Sequence, residues 1–279
     1  MHSDFSQAFN FDEAVLHDVD PRTGAYPVIF SFEDIVSHDF YGARFTLKLK
    51  NDPLDMTNYG FGRTWAPMLT RYDKKNGKLF TSDGRQYDFD GTNLLRHYDV
   101  NNFLIRKNEA EKTIDIIYRS GVTERCGTEN DVNYMTTLFS PEGKKLRFLY
   151  SPLSSENETI YRLEKVMDES VPRSLEIRYL TENEVLIIYR RKDYIYQAYQ
   201  CRIWNGQLYF VSLPNVTEFG TSISYQNINN GLYISKLTMS TGYTETISYD
   251  AGHKLPPGNP HLSDFPIRHN LQMLYRTAR

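Results

Sequence analysis

Apolar and polar residues alternate along nearly every apolar segment of this chain. Residues 44–50 are a clear example, with the sequence Arg-Phe-Thr-Leu-Lys-Leu-Lys. The same alternation occurs in residues 145–150, 174–179 and 207–213. Successive side chains of a strand point to opposite faces, so a period of two predicts strands with one buried face. Turn signals such as Asn205-Gly206 lie between the runs and favour tight hairpins. The sequence therefore predicts an all-β chain with more than about 40 % strand, in which residues 12–18 and 32–38 are the two candidates for a short helix.

An internal repeat supports this prediction. A turn centred on Gly or Pro is followed seven residues later by a tyrosine that closes a strand, and the pairs are Gly143 and Tyr150, Pro172 and Tyr179, and Gly242 and Tyr249. Because a hairpin cannot bury its own apolar face, such units must stack in a shared sheet. We expect a curved antiparallel sheet of stacked hairpins, in which Gly143 and Gly242 occupy turns with positive φ or with a close approach of neighbouring atoms.

Three segments carry a resemblance to a known family. Residues 19–26 read Val-Asp-Pro-Arg-Thr-Gly-Ala-Tyr, residues 59–65 read Tyr-Gly-Phe-Gly-Arg-Thr-Trp, and the third repeat ends in Tyr249-Asp250. In these features the chain resembles the rearrangement-hotspot (RHS) proteins with tyrosine–aspartate (YD) repeats, in particular the N-terminal region of the bacterial toxin-associated members. Of the three repeat copies, the one ending at Asp250 keeps the full Tyr-Asp ending.

The resemblance implies a fold and a role. In that family the repeats form a spiralling β-sheet shell around a toxic or signalling domain, so it implies a partial RHS-type shell without enzymatic activity. Three regions are expected: an N-terminal extension (1–18), an N-terminal β-hairpin region (19–125) and a YD-like repeat region (126–279). The implied partner is a protein or a toxin cargo.

Charge and composition exclude several other classes. The formal net charge is −3 and the pI is near 6.2, which argues against a nucleic-acid-binding protein. No apolar run approaches the roughly 18 residues of a membrane-spanning helix. The N-terminal residues lack the pattern of a classical signal peptide, so we expect a cytoplasmic protein or one released by a dedicated secretion or toxin system. Cys126 and Cys201 form no CxxC motif and are expected to be free.

Candidate catalytic groups are few. Asp88 and Asp90 share one face of a strand, as a glycosidase pair could, but carboxylates at this spacing usually line a solvated face. His253, His261 and His269 have a regular spacing, yet they lie in a proline-rich stretch whose geometry the sequence does not define. Phosphate-binding, dinucleotide-binding and nucleophile-elbow motifs are missing. We therefore predict no catalytic residue, no metal site and no cofactor, and a β-glycosidase is the least supported alternative.

Aromatic residues carry the main alternative function. Tyr194 and Tyr196 share a strand face, and together with Trp65 and Trp204 they are candidates for binding a carbohydrate or a protein partner. A buried tyrosine row would instead contribute cross-strand packing. Exposure of the face with Tyr194 and Tyr196 separates these two interpretations.

The C-terminal residues predict an edge strand. Residues 271–276 are apolar enough to require burial, with Leu271, Met273 and Tyr275 as the pairing candidates. An edge strand exposes unpaired backbone groups. The segment is expected to fold back on this chain, to pair with a second copy in a homodimer, or to pair with another protein.

Overall fold

The structure, a computed structural model, describes residues 15–17, 26–37, 41–91, 102–128, 130–154, 159–216, 219–229, 231–250 and 272–278, the last range by its backbone alone. Strands form most of this part of the chain. The strands are β1 (Val15–His17), β2 (Val28–Val36), β3 (Arg44–Asn51), β4 (Trp65–Pro67), β5 (Arg71–Asp73), β6 (Lys78–Phe80), β7 (Gln86–Asp88), β8 (Phe103–Asn108), β9 (Thr113–Tyr118), β10 (Thr123–Gly127), β11 (Val132–Phe139), β12 (Lys145–Ser154), β13 (Thr159–Met167), β14 (Arg173–Thr181), β15 (Glu184–Arg191), β16 (Tyr194–Trp204), β17 (Gln207–Ser212), β18 (Gly220–Ile228), β19 (Gly231–Thr238), β20 (Thr244–Asp250) and β21 (Gln272–Ala278). They hold about half of the chain, and the described residues contain no helix. The all-β prediction is confirmed.

The strands pair in chain order. Strands β1 to β4 form one antiparallel sheet, which we call the N-terminal sheet. Strands β8 to β21 form a second, open antiparallel series, the repeat sheet, in which each strand pairs with the next along the chain. The short strands β5 to β7 join this series through β5, which pairs with β11. The predicted boundary between residues 125 and 126 falls inside β10, in the middle of continuous pairing.

Neither candidate helix is helical where the structure describes it. Residues 15–17 form β1, and residues 32–36 belong to β2. In β2, Val28, Phe30 and Phe32 are buried at a period of two, and the register with β3 then shifts between Ser31 and Asp34. This bulge places the next buried residue, Ile35, three positions after Phe32. Residues 32–36 are therefore part of an interrupted strand.

The N-terminal sheet packs against the buried face of the repeat sheet. The Phe45 and Phe148 rings lie 4.9 Å apart, and the Phe32 and Tyr199 rings 5.0 Å apart, both edge to face. The hydrophobic core is one continuous cluster that takes residues from both sheets. Each sheet thus buries the apolar face of the other.

Recurrent hairpin loops connect the repeat strands. Gly143 and Gly242 have φ of 78° and 86°, as predicted. Each donates its N–H to the carbonyl three residues earlier, Gly143 to Ser140 and Gly242 to Met239. The left-handed conformation at this position is accessible to glycine at little cost.

The C-terminal edge follows the prediction in part. Strand β21 begins at Gln272 and pairs with β20, with Met273 opposite Tyr249 and Tyr275 opposite Ser248. The predicted pairing residue Leu271 lies outside the described residues. Among the described strands, β20 is the hydrogen-bonded partner of β21.

Candidate functional site

A sharply turned segment, residues 58–65, leads into β4. Gly60, Gly62 and Thr64 all have positive φ, at 99°, 87° and 70°. The Asn58 side-chain oxygen accepts hydrogen bonds from the N–H groups of Gly60 (2.9 Å) and Gly62 (3.1 Å). The left-handed region is costly for a β-branched residue such as Thr64. Its buried hydroxyl accepts a hydrogen bond from the Asn51 side chain (2.9 Å).

This segment approaches the repeat sheet too closely for larger residues. A Cβ on Gly60 would lie 2.3 Å from Cε1 of Tyr179, and a Cβ on Gly62 would lie 2.9 Å from the Leu208 nitrogen. The Arg63 N–H donates to the Gly206 carbonyl (2.8 Å), and the Arg63 guanidinium donates to the Asn205 carbonyl (2.9 Å). The glycines of this segment therefore permit a close contact with two repeat hairpins.

Four tyrosines of the repeat sheet share one arrangement. Each donates its hydroxyl to a backbone carbonyl of the preceding strand, and each lies where the register to the next strand shifts by a bulge. The pairs are Tyr150 with Met135, Tyr179 with Leu163, Tyr225 with Leu208 and Tyr249 with Ile234. Burial raises the pKa of all four phenols well above its usual range, so they remain protonated donors.

The sequence interpretation found three of these tyrosines and missed Tyr225. The loop before β18 lacks a glycine seven residues earlier, so the turn-to-tyrosine spacing does not apply there. The shared triplet Ile-Ser-Tyr, at residues 223–225 and 247–249, is the signal that would have identified it.

Residues 58–65 contact two of the four repeat tyrosines. The Phe61 ring lies 6.0 Å from the Tyr179 ring, and the Trp65 Nε1–H donates to the Tyr225 hydroxyl (2.7 Å). Both Phe61 and Trp65 are fully buried. Tyr225 thus accepts a bond from the N-terminal sheet and donates one within the repeat sheet, which ties the two sheets together.

Buried carboxylates provide two further links between N-terminal residues and the repeat sheet. Glu124 on β10 accepts hydrogen bonds from the hydroxyls of Thr70, Ser82 (2.6 Å) and Tyr118 (2.8 Å). Burial and the Glu124 carboxylate raise the pKa of the Tyr118 phenol, which therefore stays protonated.

Glu245 on β20 forms the second link. It is fully buried and accepts hydrogen bonds from the hydroxyls of Tyr26 and Tyr243 (3.1 Å). Because Tyr26 lies just before β2 and Glu245 belongs to β20, their hydrogen bond favours a fixed position of the two sheets.

The four aromatic residues that the sequence suggested for binding do not form one surface site. Trp65 is 0 % exposed, so its prediction as a surface binding residue is wrong: its indole belongs to the core and its N–H is occupied by Tyr225. Tyr194, Tyr196 and Trp204 are 70 %, 41 % and 66 % exposed. Tyr194 and Trp204 lie at opposite ends of β16, about 30 Å apart at the usual rise of a strand.

The remaining predicted groups show structural roles where they are described. Asp88 forms an ion pair with Lys78 on the neighbouring strand. Cys126 and Cys201 are buried and free, and burial raises the pKa of the Cys201 thiol to about 12. Residues 253, 261 and 269 lie outside the described residues. Within the described ranges, no group of three His, Cys, Asp or Glu side chains could hold a metal ion, and no helix is long and apolar enough to cross a membrane.

Comparison with known proteins gives distant structural similarities, among them the two that follow. No family model matches the sequence, and no curated protein matches it significantly. A porin-like protein from Bacteroides uniformis is 13 % identical with a TM-score of 0.38, over 82 % of this chain and 91 % of that one. A chain of the Tc holotoxin pore of Photorhabdus luminescens is 9 % identical with a TM-score of 0.39, over 85 % of this chain and 16 % of that one. Neither similarity identifies the function of this chain.

Proposed function

We propose that this chain is a non-enzymatic structural protein, the N-terminal part of a β-sheet shell of the RHS and YD-repeat kind that encloses or presents a polypeptide. The observation that carries the proposal is the fourfold tyrosine arrangement. Each unit consists of a hairpin, a half-buried tyrosine bonded to the preceding strand and a bulge toward the next strand. A bulge bends its strand and increases the local twist, so a regular series of bulges favours a coiling sheet.

In this proposal, residues 58–65 and the N-terminal sheet set the position of the first repeat units. They fill the buried face of the repeat sheet with Phe61 and Trp65 and bond directly to Tyr225. At the other end of the repeat sheet, β21 pairs with β20, and in this proposal its second edge takes a further strand. We infer that the next element of the shell, from a second copy or from another protein, adds to this edge.

Exposed residues at one hairpin end suit a protein partner. Residues 191–196 read Arg-Lys-Asp-Tyr-Ile-Tyr, and all six are exposed. Exposed tyrosines beside arginine are enriched in protein interfaces. This end of β15 and β16 is a second candidate contact for the enclosed or neighbouring polypeptide.

The edge of β21 provides the test. We expect the full chain to associate reversibly over roughly 1–100 µM in sedimentation velocity, in the range of weak protein contacts. Met273→Pro should reduce this association because proline has no N–H for a strand ladder. Deletion of residues 271–279 should abolish it and lower the melting temperature, since β20 loses its neighbour.

Glu142→Ala, in an exposed hairpin loop, is the matched control and should leave association and stability unchanged. If the deleted chain associates and melts as the full chain does, β21 does not mediate assembly and the proposal loses its mechanism.

A further inference from the structure

A groove opens where two neighbouring strands of the repeat sheet part. Strand β11 pairs with β12 only through Thr137–Phe139, whereas its first residues, Val132–Tyr134, pair with β5. Strand β12 continues along β13 as far as Ser154. The separation leaves a cavity of about 440 Å³, within the usual range of small-molecule sites.

Aromatic rings form one wall of this groove. The Tyr134 ring lies 5.3 Å from the Tyr150 ring and 6.3 Å from the Tyr161 ring. Tyr150 is fixed because its hydroxyl donates to the Met135 carbonyl (2.7 Å). Tyr134 and Tyr161 are half-buried and line the cavity, so parts of both rings face its open space. Such rings offer an apolar face next to a polar hydroxyl.

Polar residues at the start of β9 and in the loop before it also line the cavity: Glu111, Lys112 and Thr113. The Thr113 hydroxyl is buried and has no hydrogen-bond partner among the described residues. Thr136 is exposed and also lines the cavity. Arg125 lies 3.1 Å from the Glu111 carboxylate and also pairs with Asp115 at 2.7 Å. A buried hydroxyl without a partner requires an explanation, and a ligand hydroxyl in the groove would provide one.

We propose that this groove binds a neutral saccharide, with a pyranose ring against Tyr134 and Tyr161 and a ligand hydroxyl bonded to the Thr113 hydroxyl. A pyranose combines apolar ring faces with a rim of hydroxyls, which matches aromatic rings and polar side chains that line one cavity. The two charged lining residues, Glu111 and Lys112, have opposite formal charges, which suits an uncharged ligand. This site differs from the exposed aromatic residues that the sequence suggested, and it does not depend on the proposed shell function.

The experiment titrates the full chain with five neutral sugars: methyl β-glucoside, maltose, cellobiose, lactose and diacetylchitobiose. Binding is followed by calorimetry and by saturation-transfer NMR. We expect at least one disaccharide to bind with a Kd of about 0.1–10 mM. Tyr161→Ala should weaken this binding at least about tenfold, and Thr136→Trp should block the entrance.

Two controls make the result decisive. Tyr41→Ala removes an exposed tyrosine outside the groove and should not change the affinity. Melting temperatures identify variants that fail to fold, and Thr136→Trp decides the case if Tyr161→Ala is unstable, because position 136 is exposed. Absence of binding for all five sugars up to about 20 mM, or binding that a folded Thr136→Trp variant retains, overturns the proposal.

Discussion

Tyr225 differs from the other three repeat tyrosines in having a second hydrogen bond. Its hydroxyl donates to the Leu208 carbonyl, as the others donate to theirs, but it also accepts the indole N–H of Trp65. Tyr225→Phe therefore removes the partners of two buried groups in different sheets. The same substitution at Tyr150 or Tyr249 removes the partner of one carbonyl.

The expected cost follows from these contacts. Loss of a single hydroxyl-to-carbonyl bond should cost about 1 kcal/mol of unfolding free energy. At Tyr225 a buried indole N–H is also left without a partner, which adds about 1–3 kcal/mol. We therefore expect a loss of about 2–4 kcal/mol for Tyr225→Phe and about 1 kcal/mol for each of the other tyrosines.

Urea unfolding measured by far-UV circular dichroism is the suitable assay, because Trp65 is itself altered in the control. Trp65→Phe removes the indole N–H, so Tyr225→Phe in that background should cost only about 1 kcal/mol. The double-mutant cycle isolates the bond between the sheets from the cavity that Trp65→Phe creates.

Two results would refute this reasoning. The first is a loss at Tyr225 that lies within about 0.5 kcal/mol of the loss at the other tyrosines. The second is an unchanged loss at Tyr225 in the Trp65→Phe background. Either would mean that the hydrogen bond between the two sheets does not stabilise their contact.

Three further predictions concern glycines, thiols and pH. Gly60→Ala should lower the unfolding free energy by more than about 3 kcal/mol, because its Cβ would lie 2.3 Å from the Tyr179 ring. Gly143→Ala has open space but a positive φ, and should lower it by about 1–2 kcal/mol. Equal urea midpoints for the two variants would contradict the close contact at Gly60. Cys126 and Cys201 should not react with a thiol reagent at about pH 8 until the chain unfolds, because burial raises both thiol pKa values; rapid labelling of the folded chain would contradict their burial. Burial in the folded chain raises the pKa of thiols and phenols above the ordinary values of 9.0 and 10.0. The stability that these groups contribute is therefore complete below about pH 9 and is lost as the pH rises toward the raised pKa values. A melting temperature at about pH 10.5 equal to that at pH 8 would contradict this.

Local features of the sequence predicted the local features of the fold. The period of two predicted the strands, and the turn glycines predicted the left-handed positions at Gly143 and Gly242. The repeat spacing predicted three of the four bonded tyrosines, since both bond and bulge arise within neighbouring strands. Trp65 was a candidate binding residue from the sequence, but it is buried: its ring lies 5.2 Å from that of Phe30 and its N–H bonds to Tyr225, 160 residues away.

The groove was also beyond prediction from the sequence. It arises because β11 exchanges one partner for another partway along its length, and its lining comes from separate hairpins. Tyr134 and Tyr161 have no regular sequence spacing that would associate them with Thr113. Register and pairing between distant strands decide which polar and aromatic side chains meet.

The contacts between the sheets also constrain how the protein is made. Trp65 is separated from Tyr225 by 160 residues, and Tyr26 from Glu245 by 219. At about 5–20 residues per second, a ribosome completes Tyr225 roughly 10–30 s after Trp65. During this interval the apolar face of the N-terminal sheet is covered only by those repeat strands that have already been made. Nascent chains should therefore depend on chaperones until the late hairpins emerge, and the contacts between distant residues should slow folding.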